Sequence, residues 1–536
     1  MLVNCDQEPP DAPAVVEPQA APAGAATSGT YGQILKSSAL IGGSQALNVA
    51  IGIVRTKAMA VLLGPAGYGL FGLYGSVAQV VQSVAGMGVG SSGVRQIAAS
   101  AASGDTEHIA LTTVVLRRTS LVLVLLGALL MFCLAKQISA ITFGTNEHAA
   151  AVRLLSAAVF FQVVSWGQDA LVQGLRRIAD LAKMQVLGAL FGLLLSVPLV
   201  YVWREKGVVP ALVGVALMYL AVSWRYSRKI RIHLAVTPTS EITQEASALL
   251  KLGFVFMITQ FMTMGVAYGV RIIILRTAGF AATGYYQSAW TIGGLYVGFI
   301  LQAMGADFYP RLTGVADDNF TCNRLVNEQT QVGLLLAGTG ALATLALAPI
   351  VISIFYSAKF GAAVGVLRWM CLGASLQVIT WPLGYMILAK GRKVIYFFTQ
   401  LAWIIASLAL AYVCVAKWGL SGAGIAFFAS YVFFGLMDYA VVRRLSGFRW
   451  SRATVETTAV LLSLIAITFG AFQMFSFFWA ACIGAVATFS SCIYSIWTLS
   501  TLISWNQIPR NAQLLLSPFR SIFLKYTLER GEQRWR

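Results

Sequence analysis

The sequence predicts an all-α polytopic membrane protein of about 14 spans. Two six-helix bundles are related by a pseudo-two-fold axis along the membrane normal, and two further helices follow them. Three observations predict this. The 536 residues are 58% hydrophobic and 11% charged, with a mean hydropathy of +0.75, where a soluble domain carries about 25% charged residues. The apolar residues fall in unbroken runs longer than the roughly 20 that cross a bilayer as helix, unlike the short alternating strands of a membrane barrel. Motifs of the first half also return 215 to 217 residues later.

Residues 1–30 are rich in Pro and Ala and hold Asp6, Glu8, Asp11 and Glu17 without any Lys or Arg. They read as a disordered acidic cytoplasmic tail, not a signal peptide. The first bundle, 31–224, opens with spans at 38–63 and 69–97 that meet at the glycine-proline turn GPAGYG (64–69). Its other spans fall at 113–134, 150–174, 181–203 and 208–224. A basic linker, 225–250, follows, and is read as cytoplasmic and as a surface-helix candidate. The second bundle, 251–445, has spans at 251–278, 283–308, 331–356, 363–389, 394–416 and 419–442. Residues 446–503 hold two extra helices, at 454–474 and 477–503. The basic cytoplasmic tail, 504–536, carries Phe519, Ile522, Phe523 and Tyr526 on one helical face, a pattern suited to a membrane surface. Seven cysteines form no C-x-x-C pair, so neither a disulfide framework nor a metal site or cofactor is expected.

The repeat is specific. VRTKAMAVLLGPAGYG (54–69) matches VRIIILRTAGFAATGYY (270–286), and Met87-Gly88 with Arg95 matches Met304-Gly305 with Arg311. Phe143-Gly144 matches Phe360-Gly361, and QVVSW (162–166) matches QVITW (377–381). Several matches in register mean duplication. Six helices per copy is an even number, so both copies keep one orientation. With the N-terminus in the cytoplasm, 27 of the 38 Lys and Arg lie inside and 7 outside, with 4 within the first and seventh spans. That bias puts both termini in the cytoplasm. The net charge of +18 is then mainly a topological signal with attraction to anionic lipid, and no basic folded face points to nucleic acid.

Arg55 lies nine residues before Gly64, about 13 Å along a helix, and so near mid-membrane. An arginine there costs about 2.5–3.5 kcal/mol and turns toward protein or a hydrated cavity. Gln45, Asn48, Gly52 and Arg55 form one helical stripe. The alternative is that this stripe packs on a neighbouring helix while Arg55 bends to the interface. Arg271 occupies the matching place in the second copy. Gln79 and Gln82 share a face with Gly75, Gly86 and Gly93, where amides either meet sugar hydroxyls or join helices. Trp166, Trp381, Tyr268 and Tyr296 are candidates for sugar stacking, with packing as the default. Asp169 is a candidate coupling residue or partner of a lumenal arginine. Asp307 near Arg311, and Asp438 near Arg443, read as local salt bridges. Gly88-Val89-Gly90-Ser91-Ser92-Gly93 matches a dinucleotide motif but lies in a membrane helix, where small residues serve packing. His108, His148 and His233 read as solvated loop residues. The outer loops are too short for a polymerase or ligase site.

The arginine in the first span, the GPAGYGLFG turn, the paired halves and the basic inner loops give the chain a family likeness over residues 31–445. It resembles the Wzx-type lipid-linked oligosaccharide flippases, the O-antigen translocases in the polysaccharide-transporter branch of the MATE/MOP superfamily. The resemblance implies a bacterial inner-membrane transporter, not an enzyme. It implies movement of an undecaprenyl-pyrophosphate-linked oligosaccharide, an O-antigen or exopolysaccharide repeat unit, from the cytoplasmic to the periplasmic leaflet. Partners so implied are that glycan, membrane lipids, and the polysaccharide polymerase and chain-length machinery. The anion-binding role falls by this likeness on Arg55 and Arg271, then on Arg276, Arg95 and Arg311. The family commonly has twelve spans, and the two extra ones resemble those of peptidoglycan-precursor flippases. Such a flippase, or a MATE-like cation-coupled multidrug antiporter, is the alternative. The antiporter would want a mid-membrane carboxylate, which the first and seventh spans lack.

Overall fold

The computed structural model describes residues 26–103, 105–230 and 239–502, and these are helical with short connections. The first half comprises α1 (Ala26–Ala85), α2 (Val89–Ser103), α3 (Thr106–Cys133), α4 (Ala135–Phe143), α5 (Ala149–Gly174), α6 (Ile178–Trp203) and α7 (Val208–Ser227). The second comprises α8 (Thr239–Gly314), α9 (Asn319–Ala346), α10 (Ala348–Phe355), α11 (Ala363–Ala389) and α12 (Lys393–Ser446), and α13 (Arg452–Met474) and α14 (Phe477–Leu502) follow.

Several expected spans are fused into longer, kinked helices. Among the described residues, nine helices are long and apolar enough to cross a membrane. Four of these stretches, Gly43–Ala85, Ile178–Ser227, Glu241–Gly294 and Lys393–Ser446, run 43 to 54 residues, which leaves room for two crossings of about 20 residues each. The reason is local. Gly64 (φ 66°), Gly279 (φ 84°) and Gly419 (φ 55°) turn the chain within one residue, in a backbone region that a Cβ disfavours. Pro65, next to Gly64, has no N–H to lose at such a break. A fourth bend, of 81°, separates α9 from α10.

The repeat is written into the backbone. Gly64 and Gly279 lie 215 residues apart, and so do two further pairs at positive φ, Arg176 (53°) with Gly391 (70°) and Arg204 (50°) with Gly419 (55°). Helices α3 and α9, of 28 residues each, are capped by the carboxylates of Asp105 and Asp318. These caps start both helices earlier than their apolar runs. After these helices the copies differ locally: α4 ends at Phe143 with Gly144 at φ 83°, whereas a 3-10 turn at 358–360 follows α10 and precedes Gly361.

Other expectations change too. Residues 239–250 belong to α8 instead of a separate linker, and α1 starts at Ala26, inside the expected tail. Residues 1–25, His233 and the tail from 503 lie outside the described residues. His148 is not simply solvated: its Nδ1 lies 2.9 Å from the Tyr74 hydroxyl, and its ring packs on Phe143.

The halves meet at two glycine contacts. At the kinked end, a Cβ on Gly284 would run into the Pro65 carbonyl, and one on Gly69 into that of Phe280. At the far end, Gly88 and Gly253 abut in the same way. Here the first copy breaks its helix at Met87 (φ 42°) and Gly88 (φ 61°), whereas α8 runs straight through Met304-Gly305. The largest apolar core crosses the middle, joining Met59 and Tyr68 of α1 with Ile274 and Tyr286 of α8 and with Tyr356 and Phe360.

Candidate functional site

The two kinked helices bring two arginines toward one tyrosine. Tyr68, 3% exposed, sits in the first turn after the Gly64 kink and lies within electrostatic reach of both Arg55 and Arg271. Its hydroxyl is 3.5 Å from that of Tyr356, and its ring packs edge-on against Tyr356 and Phe360.

The arginines are held differently. Arg271 is 6% exposed; its Nε donates to Gln287 Oε1 at 2.7 Å and its Nη1 to the Ala267 carbonyl at 2.9 Å. Its guanidinium also lies 6.0 Å from the Trp290 ring centre, a cation–π distance. A guanidinium has five N–H donors, so three remain for a ligand. Gln287 in turn lies along Gly72 of the other half, where any side chain would crowd it. Arg55 is half-buried and has no hydrogen bond or ion pair to any described residue. Two turns earlier on its face, Asn48 Oδ1 is enclosed without a donor. The five ion pairs among the described residues all leave both arginines out. The centre of the molecule therefore carries a cationic surface with free donors.

The other candidates are dispersed. Arg276 is exposed and donates to the Ala140 and Ile141 carbonyls in the last turn of α4. Lys57 does the same for α10, donating to Ile354 at 2.7 Å. Each half thus sends one cation to a short helix of the other. Arg95 is exposed, and Arg311 pairs with Asp307 at 3.0 Å on the surface. Gln45 and Gln79 are exposed and Gln82 is half-buried.

Asp169 accepts a 2.9 Å hydrogen bond from Tyr219, while its Oδ1 is enclosed without a donor. It borders a cleft of about 380 Å³ between the halves, with Ser83, Ser91, Trp166, Gln173 and Gln260. Of the other aromatic candidates, Trp381 packs on Tyr385 at 4.3 Å and Tyr268 meets the Thr142 hydroxyl at 2.6 Å, both structural contacts. The Tyr296 side chain lies outside the described ones. Asp438 makes no salt bridge with Arg443: it is fully buried, whereas Arg443 is exposed. Five residues on a helix turn about 140° away from the starting face, so the pair cannot meet.

Sequence reasoning missed Tyr68, Gln287 and Trp290 as parts of the arginine site. The first lies in the GPAGYG turn, and Gln287 is an amide in an apolar span, one signal that was there to be read.

The family model described as a polysaccharide biosynthesis protein matches residues 58–365, more than half of the chain. The chain belongs to this family. Two curated relatives, the lipid III flippases of Escherichia coli (strain K12) and Shigella flexneri, are each 26% identical over 410 residues, covering 74% of this polysaccharide biosynthesis protein and 95% of themselves. Among solved structures, an inward-facing multidrug resistance MATE transporter of the MOP superfamily superposes with a TM-score of 0.62 at 18% identity, covering 74% of this chain and 95% of its own. The lipid II flippase MurJ in an inward closed conformation gives 0.62 at 14% identity, covering 87% and 100%. At these identities the structures speak for the fold alone, which this chain shares with them. The resemblance read from the sequence and the multi-pass membrane architecture are both borne out.

Proposed function

We propose that this polysaccharide biosynthesis protein is a transporter, not an enzyme, that flips an undecaprenyl-pyrophosphate-linked oligosaccharide across the bacterial inner membrane. The direction is from the cytoplasmic to the periplasmic leaflet, by rocking of the two halves. The observation that carries this is the pair of arginines around Tyr68 with no carboxylate paired to either among the described residues. A pyrophosphate needs a counter-charge and donors to leave water, and an arginine fork offers both. The polyprenyl tail stays in lipid. The two lipid III flippase relatives support a lipid-linked substrate. An O-antigen or exopolysaccharide repeat unit and a peptidoglycan precursor suit the arginines equally well, and complementation of strains lacking each flippase tells them apart. A cation-coupled multidrug antiporter, which the shared fold also allows, would place a carboxylate beside the arginines.

The test is complementation with variants expressed at normal membrane levels. Arg55→Ala and Arg271→Ala should each lower surface-glycan export at least about tenfold, equal to about 1.4 kcal/mol, and the Lys variants should fall between. Full export by both Ala variants would sink the anion-site reading.

A further inference from the structure

A carboxylate outside the arginine site has no hydrogen-bond or ion-pair partner among the described residues. Asp438, in the second limb of α12, is 0% exposed, and both of its carboxylate oxygens are enclosed without any hydrogen-bond donor from the protein. From α11 the facing residue is Gly384, where a Cβ would lie 3.6 Å from Asp438 Oδ2. From the first limb of α12 comes Tyr396, whose ring edge would lie 4.0 Å from that same Cβ on Gly384. The apolar cluster at this end of the second half contains Tyr309 of α8, Cys322 of α9, Tyr385 of α11 and Tyr439, and no Lys, Arg or His. The nearest cations look elsewhere. Arg392, Lys393, Arg443 and Arg444 are exposed, Lys390 donates to Ala316 and Asn319, and Arg311 pairs with Asp307.

The position is a paired feature of the repeat. Gly384 lies 215 residues after Asp169, and Asp438 lies 215 after Ser223. In the first half Asp169 projects from α5 toward Tyr219 of α7, beside Ser223, which donates to Gln168 at 2.6 Å. In the second half the carboxylate comes from the opposite wall and faces a glycine. Each half thus holds one carboxylate in the same helix contact, by different residues. Asp169 borders the cleft between the halves, whereas Asp438 is sealed.

A bare carboxylate anion in such a place is too costly to persist without a counter-charge. We propose that Asp438 is a proton-binding site, held as the neutral acid in this conformation. One proton from water binds one carboxylate oxygen to give the neutral acid. This holds whatever lipid the protein moves.

Infrared spectroscopy of the purified full-length protein in nanodiscs at neutral pH tests it. The Asp169→Asn protein should still show the carbonyl stretch of a buried protonated carboxylic acid. Adding Asp438→Asn should abolish that band, and so should adding Asp438→Ser, which installs the residue that the first half uses at this place. Absence of the band from the Asp169→Asn protein, or its survival in a folded double variant, would overturn the proposal. The readout needs no substrate, so it can fail while the flippase reading stands, and the reverse.

Discussion

Arg55 and Arg271 come from the same duplicated helix, yet one is tethered and the other is free. The difference traces to a single residue of register. Arg271 stands eight residues before its kink at Gly279 and Arg55 nine before Gly64, so the two point about 100° apart around their helices. The second half then supplies Gln287 to hold its arginine, at the position where the first half has Gly72. Duplication preserved the kinks and caps, while a one-residue shift of register and the change from Gly72 to Gln287 tethered one arginine and left the other without a hydrogen-bonded partner among the described residues.

The largest effect should come from joining the halves wrongly. Gly284→Leu would drive a side chain into the Pro65 backbone. Overpacking costs about 1–3 kcal/mol even against side chains, so a loss of at least about 3 kcal/mol is expected, read as a fall in melting temperature in detergent. A Gly284→Leu protein as stable as wild type would mean that the halves do not meet there. A smaller effect should follow from making the second half resemble the first. Gln287→Leu frees Arg271 and leaves a buried charged donor unpaired, at about 1–3 kcal/mol. Thermal stability should drop by that much, with complementation reduced as well; no change would mean that the tether is incidental. The smallest effect should come from the crossed cations. Lys57→Ala and Arg276→Ala each remove a charge from the end of a short helix, worth about 0.3–1 kcal/mol. The two losses should add in the double variant, since the sites share no partner, and a double variant that melts like either single would refute that independence.

Much of this was legible in the chain, and what was not had physical causes. The Gly64 kink announced itself through Gly-Pro, and the Gly279 kink through the match with it. The Asp307–Arg311 pair was readable because four residues return to one helical face. Asp438 and Arg443, five apart, looked similar on paper but lie on different faces. The break at Met87-Gly88 was invisible because its cause is Gly253 of the other half, pressed against it. Gln287 and Arg271, sixteen residues apart across a kink, meet only because Gly279 folds their helix back. Single helices fell where spans were expected, but a glycine that turns the chain in one residue leaves no loop sequence to mark it.

The close fit of Gly69 with Gly284 also sets a timetable. The two residues lie 215 apart, and at about 5–20 residues per second the ribosome needs roughly 10–40 s to make the second after the first. Through that interval the first half stands in the bilayer with its mating groove empty and Arg55 facing whatever the membrane supplies. It is an obligatory assembly intermediate, complete in its own helices and unfinished at its seam. Insertion factors, lipids and quality-control proteases meet it in that state, before the transporter exists.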